Sequence, residues 1–262
     1  MANKTIRCIG DPAKRFDEDK LRLLRAVRFA CRLDFKIEQG TWAAVKAMSA
    51  QLRMVSRERI RDELDKIFTS SHHLLGLKLL IEGGFWNEFW SSLDSGQVVA
   101  RFSKLRIQTP NIALANALIY FDQPKSQLIE ALKKFRYSND VIEATLKLLE
   151  IENKIKVPGK LRVGEMRLLA SEPLLESAFE LLWVTCADTN QFNSVIGSFE
   201  TWKGEILPER LINGSDLKTL GIQPGPRLGE ILEEAYLVQL ESQFKTKEDA
   251  LNWAKKKLKE LV

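Results

Sequence analysis

The sequence predicts an all-α protein, an extended array of many helices with one short strand near its start. Three observations carry this. Apolar residues recur at i, i+3, i+4 and i+7 in segment after segment, the spacing of a helix face. Ser, Thr or Asp precedes several of these runs, and Gly or Pro follows others, as helix starts and stops require. Only residues 4–9, KTIRCI, alternate in strand fashion, and no second stretch offers itself as a pairing partner. There is no internal repeat and no low-complexity tract.

In chain order, residues 4–9 end at the turn Gly10-Asp11-Pro12. Residues 17–33 predict the first helix, with Asp17 as N-cap and acidic residues in the first turn, where the helix dipole favours them. Leu23, Leu24, Val27, Ala30 and Cys31 gather on one side of it, and Arg25, Arg28 and Arg32 on another. Residues 34–40 read as a connection. Thr41 is expected to cap a helix carrying Trp42, Val45, Met48 and Leu52, and Ser56 one carrying Ile60, Leu64, Ile67 and Phe68. Residues 72–82 form a further helix stopped by Gly83-Gly84. Phe85, Trp86, Phe89 and Trp90 read as packing between helices rather than a base-stacking platform. Leu128, Ala131, Leu132 and Phe135 make one later stripe; Val141, Thr145, Leu148 and Leu149, after Ser138, make another. Pro158-Gly159 marks a boundary. Residues 173–186, 189–203, 227–242 and 246–261 are the last helices, with loops at Pro208–Gly214 and Gly221–Pro226 between them.

The 262 residues suffice for one to three domains with a large core, and 45% hydrophobic and 29% charged content is ordinary for a globular chain. No apolar run approaches 18 residues and the start has no signal-peptide core, so a membrane span and export are not expected. Cys8, Cys31 and Cys186 are scattered and odd in number, which implies reduced thiols in a cytoplasmic protein rather than disulfides or a metal site. Residues 1–66 carry 16 Lys+Arg against 10 Asp+Glu, while the rest of the chain is near balance. The basic excess therefore sits in the first quarter, where it favours phosphate-bearing partners.

Several residues invite chemistry. Asp19 and Arg22, three apart on the expected helix, are neighbours there. Asp17-x-Asp19 is not a metal-binding pair, because helical residues two apart point about 200° away from each other. His72-His73 has no partner at ligand spacing and reads as structural. In Gly221–Gly229 a glycine turn precedes a helix with Pro226 near N1, a start that offers N–H groups to phosphate. There Lys218 and Arg227 either touch an RNA backbone or belong to a tight interhelix turn.

The wording from Arg7 to Ala30, R-x-I-G-D-P-x-x-R-F-x-E-D-x-L-R-x-L-R-A-x-R-F-A, and from Val55 to Leu64, V-S-x-E-R-I-R-x-E-L, resembles the neck of class II tRNA nucleotidyltransferases. These are the CCA-adding enzymes and their bacterial poly(A) polymerase relatives. LINGSDLKTLGIQPGPRLGEIL, residues 211–232, resembles the tail of the CCA-adding branch. The resemblance implies a head-strand remnant at 1–10, a nucleotide-reading neck at 11–90, a body at 91–157 and a tRNA-binding tail at 158–262. It assigns base reading to Asp19 and Arg22 of the E-D-x-x-R element that Glu18 opens. A carboxylate accepts and a guanidinium donates, so such a pair matches cytosine and adenine, each with an amino donor beside a ring-nitrogen acceptor. It mismatches guanine and uracil. Arg59 and Glu63 are expected to be ion-paired braces. Arg25 and Arg28 either approach triphosphate or tRNA, or are solvated.

The head's L-x-G-G-x-V-R-D and D-x-D elements are not in this sequence, so no catalytic or metal residue is expected in it. The implied reaction is tRNA 3′-end CCA addition from CTP and ATP, with Mg²⁺ held by a head that is encoded upstream, supplied by a separate chain or lost. The chain alone is expected to be inactive. The alternatives are a poly(A) polymerase or A-adding enzyme, a non-catalytic tRNA-binding fragment, and a helical scaffold.

Overall fold

The structure, a computed structural model, describes residues 4–260. Its elements run β1 (Thr5–Ile6), α1 (Pro12–Glu18), α2 (Arg22–Leu33), β2 (Lys36–Ile37), α3 (Gln39–Met48), α4 (Arg57–Phe68), α5 (His73–Glu82), α6 (Phe85–Trp90), α7 (Ser95–Ser103), α8 (Ile112–Ile119) and α9 (Lys125–Lys134). There follow α10 (Asn139–Ile155), α11 (Val163–Ala170), α12 (Leu175–Thr185), α13 (Thr189–Glu200), α14 (Gly214–Thr219), α15 (Pro226–Leu240) and α16 (Lys247–Glu260). The class is all-α, as the periodicity predicts. Residue 261, included in the last expected helix, lies outside the described residues.

The helix expected over 17–33 is two helices. Pro12 at its first position and the Asp11 carboxylate, which accepts from Ala13 N at 2.9 Å, start α1 well before Asp17. Asp17 therefore sits in the last turn of α1 and caps nothing. Asp19 is extended, its Oδ1 accepts from Leu21 N at 3.1 Å, and its carbonyl accepts from Arg22 N at 3.0 Å. An aspartate side chain that takes a backbone N–H two residues on competes with helix continuation, and here it breaks the run.

β1 has a partner, contrary to expectation. β2 lies inside the segment read as a connection and pairs with β1 in parallel, Thr5 opposite Lys36 and Ile6 opposite Ile37. Asp34, left-handed at φ 50, closes α2 and turns the chain into β2. A two-residue strand is too short to show alternation in the sequence. The start of α3 also differs: Glu38 is the cap, accepting from Thr41 N at 2.7 Å, while Thr41 is buried and its Oγ1 accepts from Cys8 N at 3.0 Å.

Packing groups Met1–Glu152 with Glu176–Thr189 in one compact unit, and Asn153–Leu175 with Asn190–Val262 in a second. This grouping cuts differently from the divisions expected at residues 90 and 157. Residues 176–189, expected in the tail, pack with the first unit because α12 is bonded there. The buried Glu180 carboxylate accepts from Arg106 N and Nε at 3.1 and 3.0 Å, and Thr185 Oγ1 donates to Glu152 at 3.0 Å.

In the first unit α2, α4 and α5 pack around Leu23, Leu24, Val27, Ile60, Leu64, Ile67, Leu77 and Leu80, all buried. Gly76 lets α5 close on the other two helices: a Cβ there would lie 2.4 Å from Ile67 Cγ2 and 2.7 Å from Cys31 Sγ. Burial pushes the Cys31 thiol up to about 12, so it behaves as a small apolar group. Beside this core Phe68, Trp90 and Phe102 pack edge to face or tilted, and Trp90 Nε1 donates to Tyr120 Oη at 2.8 Å. His73 is buried in the same region, its Nδ1 3.0 Å from Ser70 O, which is a structural environment.

The second unit has its own core, formed by Ile212, Leu217, Ile222, Ile231, Ala235, Val238 and Phe244 with Ala250 and Ala254 of α16. Asn213 and Asp216 exchange hydrogen bonds as a capping box at the start of α14, a helix not expected between the two loops. Gly164 of α11 lies against the Leu237 carbonyl of α15, where a Cβ would come within 2.4 Å.

Candidate functional site

The residues of the E-D-x-x-R element lie at the break between α1 and α2, beside the first turn of α4. Glu18 ends α1, Asp19 is in the extended link, and Arg22 opens α2. Among the described residues no hydrogen bond or ion pair joins the side chains of Asp19 and Arg22; the link between them is the backbone bond from Arg22 N to the Asp19 carbonyl. Each is held by another partner. Arg22 Nη1 donates to Glu18 Oε2 at 2.6 Å and to the Arg15 carbonyl at 2.9 Å. That hydrogen bond, with help from Arg15, holds the Glu18 carboxyl below its ordinary range. Asp19 accepts from Leu21 N and from Arg59 Nη2 of α4, the latter at 3.3 and 3.4 Å. Asp19 and Arg22 are both partly exposed, at 26% and 37% of their side chains.

The spacing argument from a continuous helix is thus corrected, while the two groups still flank one break in the chain. Both keep capacity. A carboxylate has about four lone-pair sites and a guanidinium five N–H donors. Among the described residues Arg22 spends only Nη1, which leaves Nε and Nη2 as donors, and Asp19 Oδ2 has only the long contact with Arg59.

One turn further along, α2 and α4 are joined through a buried carboxylate. Glu63 is 5% exposed; Arg28 Nε lies 2.7 Å from its Oε2, Arg25 Nε 3.6 Å from Oε1 and Lys66 Nζ 3.8 Å from Oε1. The Arg28 contact is an ion-pair approach without hydrogen-bond alignment, so both atoms keep unspent hydrogen-bonding capacity. Arg25 and Arg28 are therefore neither simply solvated nor neutralised one to one, and Arg59 and Glu63 are paired across helices, with Asp19 and Arg28 respectively.

A second cluster on α4 carried no signal in the sequence reading. Tyr137, just after α9, donates to Asp65, and Arg61 donates to the Arg136 carbonyl and to Asp62. Burial pushes Asp65 up to about 6 against the opposing effect of the Tyr137 hydrogen bond. No motif marks a Tyr–Asp pair 72 residues apart in sequence.

Asp17 is bound by Lys20 and Asp19 by Arg59. Among the described residues no group of three or more His, Cys, Asp or Glu could hold a metal, and no helix is long and apolar enough to cross a membrane. In the second unit, Lys218 is exposed in the last turn of α14 and Arg227 is exposed in the first turn of α15, after Gly225 and Pro226.

Comparison with known proteins bears on these residues. Residues 34–96 match the family described as "Probable RNA and SrmB- binding site of polymerase A", and residues 105–254, more than half of the chain, match "tRNA nucleotidyltransferase domain 2 putative". The CCA-adding enzyme of Streptococcus suis is 29% identical over 265 residues, covering 96% of this chain and 62% of the relative. That of Lactococcus lactis subsp. cremoris is 31% identical over 271 residues, covering 100% and 64%. The Bacillus stearothermophilus CCA-adding enzyme in complex with CTP superposes with a TM-score of 0.69 at 21% identity, over 98% of this chain and 66% of that one. The Thermotoga maritima enzyme complexed with tRNA gives 0.64 at 17% identity, over 98% and 65%. The chain thus spans somewhat under two thirds of the length of the curated relatives. On the matches of its two regions and of these relatives, the chain belongs to the class II CCA-adding enzyme family of tRNA nucleotidyltransferases.

Proposed function

We propose that this chain selects the incoming nucleotide and grips tRNA during CCA addition to tRNA 3′ ends in the cytoplasm, with CTP and ATP as substrates. The observation that carries the reading is the junction of α1, α2 and α4, where Asp19 and Arg22 are each held from behind and keep an acceptor and donors in reserve. Asp19 Oδ2 accepts from the exocyclic amino group of cytosine or adenine, and Arg22 donates to the adjacent ring nitrogen. Guanine and uracil present a carbonyl to the carboxylate and an N–H to the guanidinium, so both contacts fail. Glu18 and Arg59 set the two side chains, and the cations around Glu63 draw the triphosphate.

The regions 11–90, 91–157 and 158–262 serve in this reading as neck, body and tail. Mg²⁺ belongs to the carboxylates of a catalytic head, and the 262-residue polypeptide does not transfer nucleotides unaided. Poly(A) or A-only addition is the second reading, favoured by the polymerase A description over residues 34–96.

The test is single-turnover incorporation of each of the four nucleotides by the chain joined to a head. Arg22→Ala and Asp19→Ala are each expected to lower discrimination against UTP and GTP by ten- to a hundredfold, the 1–3 kcal/mol of one lost base-edge contact, with little change in Tm. Unchanged selectivity in both variants overturns the base-reading assignment. Incorporation of ATP but not CTP decides for the second reading, and activity of the isolated polypeptide refutes the need for a head. Binding of tRNA is expected to weaken steeply with salt, and Lys218→Ala with Arg227→Ala to weaken it for all tRNAs alike. Salt-independent affinity contradicts the RNA-gripping role.

A further inference from the structure

A cavity of about 360 Å³ opens in the first unit between α6, the end of α8 and α9. It does not include any residue of the base-recognition site. Its inner wall is aromatic: Phe89, Trp90 and Phe135, with Trp90 and Phe135 nearly parallel at 25° and 5.7 Å between centroids. Its rim is one face of α9, where Gln127, Glu130, Ala131 and Lys134 fall at i, i+3, i+4 and i+7. Leu128 and Leu132 bury the opposite face.

Two features distinguish this cavity from a packing defect. Tyr120, buried at 5% exposure, lines it. Its hydroxyl accepts from Trp90 Nε1, and among the described residues its own proton has no acceptor. A buried O–H donor without an acceptor points to a ligand or water that supplies one. The rim groups Gln127, Glu130 and Lys134 are exposed and make no hydrogen bond or ion pair among the described residues. They offer an amide that both donates and accepts, a carboxylate and an ammonium in a single row.

We propose that this cavity binds a nucleotide: its base enters against Phe89, Trp90 and Phe135, and its phosphate stays at Lys134. The size is at the lower end of the roughly 300–1,000 Å³ of small-ligand sites. Aromatic walls accept the flat faces of a base, as in proteins that hold unstacked bases of single-stranded RNA. The Tyr120 O–H donates to a carbonyl or ring nitrogen of the base, and Gln127 and Glu130 meet its polar edge at the mouth. Lys134, with Lys133 beside it in the last turn of α9, supplies positive charge for the phosphate. The same chemistry serves a free mononucleotide or one nucleotide of an RNA strand.

The test uses the full chain labelled with 5-fluorotryptophan and read by fluorine NMR. The chain has six tryptophans, so Trp90 can be assigned with Trp90→Phe and Trp42 kept as a control. AMP, CMP, GMP, UMP, ribose 5-phosphate and a short single-stranded RNA are titrated separately. The expected result is a saturable shift of Trp90 with at least one mononucleotide or with the RNA, none with ribose 5-phosphate, and none at Trp42. A response to mononucleotides makes the site one for free nucleotides; a response to RNA alone makes it one for the strand.

Ala131→Phe fills the mouth and is expected to weaken the response on the order of tenfold, the scale of one lost base-stacking contact. Should it unfold, Gln127→Ala with Glu130→Ala on the exposed rim gives the same reading. Asp19→Ala with Arg22→Ala is expected to leave the Trp90 response intact, which separates this site from base selection. The proposal is overturned if no nucleotide or RNA moves Trp90, if ribose 5-phosphate moves it equally, if a folded rim or mouth variant responds like the parent, or if the Asp19 and Arg22 changes abolish the response.

Discussion

Two ion-pair nodes of opposite composition tie helices together in this chain. In the first unit one buried carboxylate, Glu63, is shared by Arg28, Arg25 and Lys66 at 2.7, 3.6 and 3.8 Å. In the second unit one guanidinium, Arg162, is shared by Glu234, Glu241 and Glu165 at 2.8, 3.6 and 4.0 Å. Both cross-link helices, yet the first leaves a surplus of positive charge and the second a surplus of negative charge. A phosphate is drawn to the first and repelled by the second. The number of salt bridges does not distinguish them; the sign left over after pairing does. The surplus at Glu63 stands next to Arg22 and Arg59, so in the proposed function that node belongs to the site and the Arg162 node to a scaffold.

Removing the shared group should break the first node most severely. Glu63→Gln keeps the volume but leaves Arg28, 16% exposed, without its counter-charge. Loss of one partner of a buried pair costs about 3–5 kcal/mol, and the solvent reach of Arg25 and Lys66 puts this case near the lower figure. A urea melt should show the midpoint falling with m unchanged. If Glu63→Gln is neutral, the node is not what holds α2 to α4, and the comparison fails on its stronger side.

Asp65, on the same helix, sharpens the contrast because it is a half-buried carboxylate without such a surplus. Its folded pKa of about 6 lies above the ordinary 3.8, with burial as the main cause. The folded state therefore holds this proton more tightly than the unfolded one. The resulting stability is complete below about pH 4 and is lost as pH rises through about 6, amounting to about 2–3 kcal/mol. Asp65→Asn keeps an acceptor for Tyr137 and removes the charge. Relative to the parent, the variant should gain stability as pH rises from about 4 to about 6 and hold that gain above it, read as the difference between their two Tm-against-pH curves. Parallel curves would show that Asp65 ionises as freely in the folded chain as in the unfolded one.

How much of this could be read from sequence depended on the length over which each signal is averaged. The apolar faces of α2, α4 and α9 repeat over several turns, and the core residues named from them are buried: Leu23, Val27, Ile60, Leu64, Leu128 and Leu132. Features set by a single side chain were not legible. The break at Asp19 follows from one carboxylate taking Leu21 N, β2 is two residues long, and the cap of α3 is Glu38 rather than Thr41. The motif assigned base reading to Asp19 and Arg22 and bracing to Arg59 and Glu63, and all four lie on or beside α2 and α4. It could not say who pairs with whom. The expected Asp19–Arg22 neighbourhood on one helix became Asp19 with Arg59 and Arg22 with Glu18. Pairing across 40 residues of sequence depends on how α4 crosses α2, and no local pattern encodes that crossing.

The smallest effect is expected at the second node, and it is the more discriminating test. Arg162 Nη1 and Nη2 reach both oxygens of Glu234 at 2.8 and 2.9 Å, a bidentate fork of the kind that makes surface pairs count. The pair nevertheless stands in solvent, with side chains 41% and 37% exposed. Exposed pairs contribute about 0.2–1 kcal/mol. Here Glu241, 14% exposed, also loses its Arg162 partner, and Glu165, Glu234 and Glu241 lose the cation they share. Arg162→Ala should therefore cost about 1 kcal/mol at low salt, and the cost should shrink in 1 M salt, where the Debye length is about 3 Å. Glu63→Gln, by contrast, should keep most of its cost in 1 M salt, because a buried charge is poorly screened. Should the two variants lose stability alike and with the same salt dependence, burial and leftover sign would not separate a site from a scaffold in this chain.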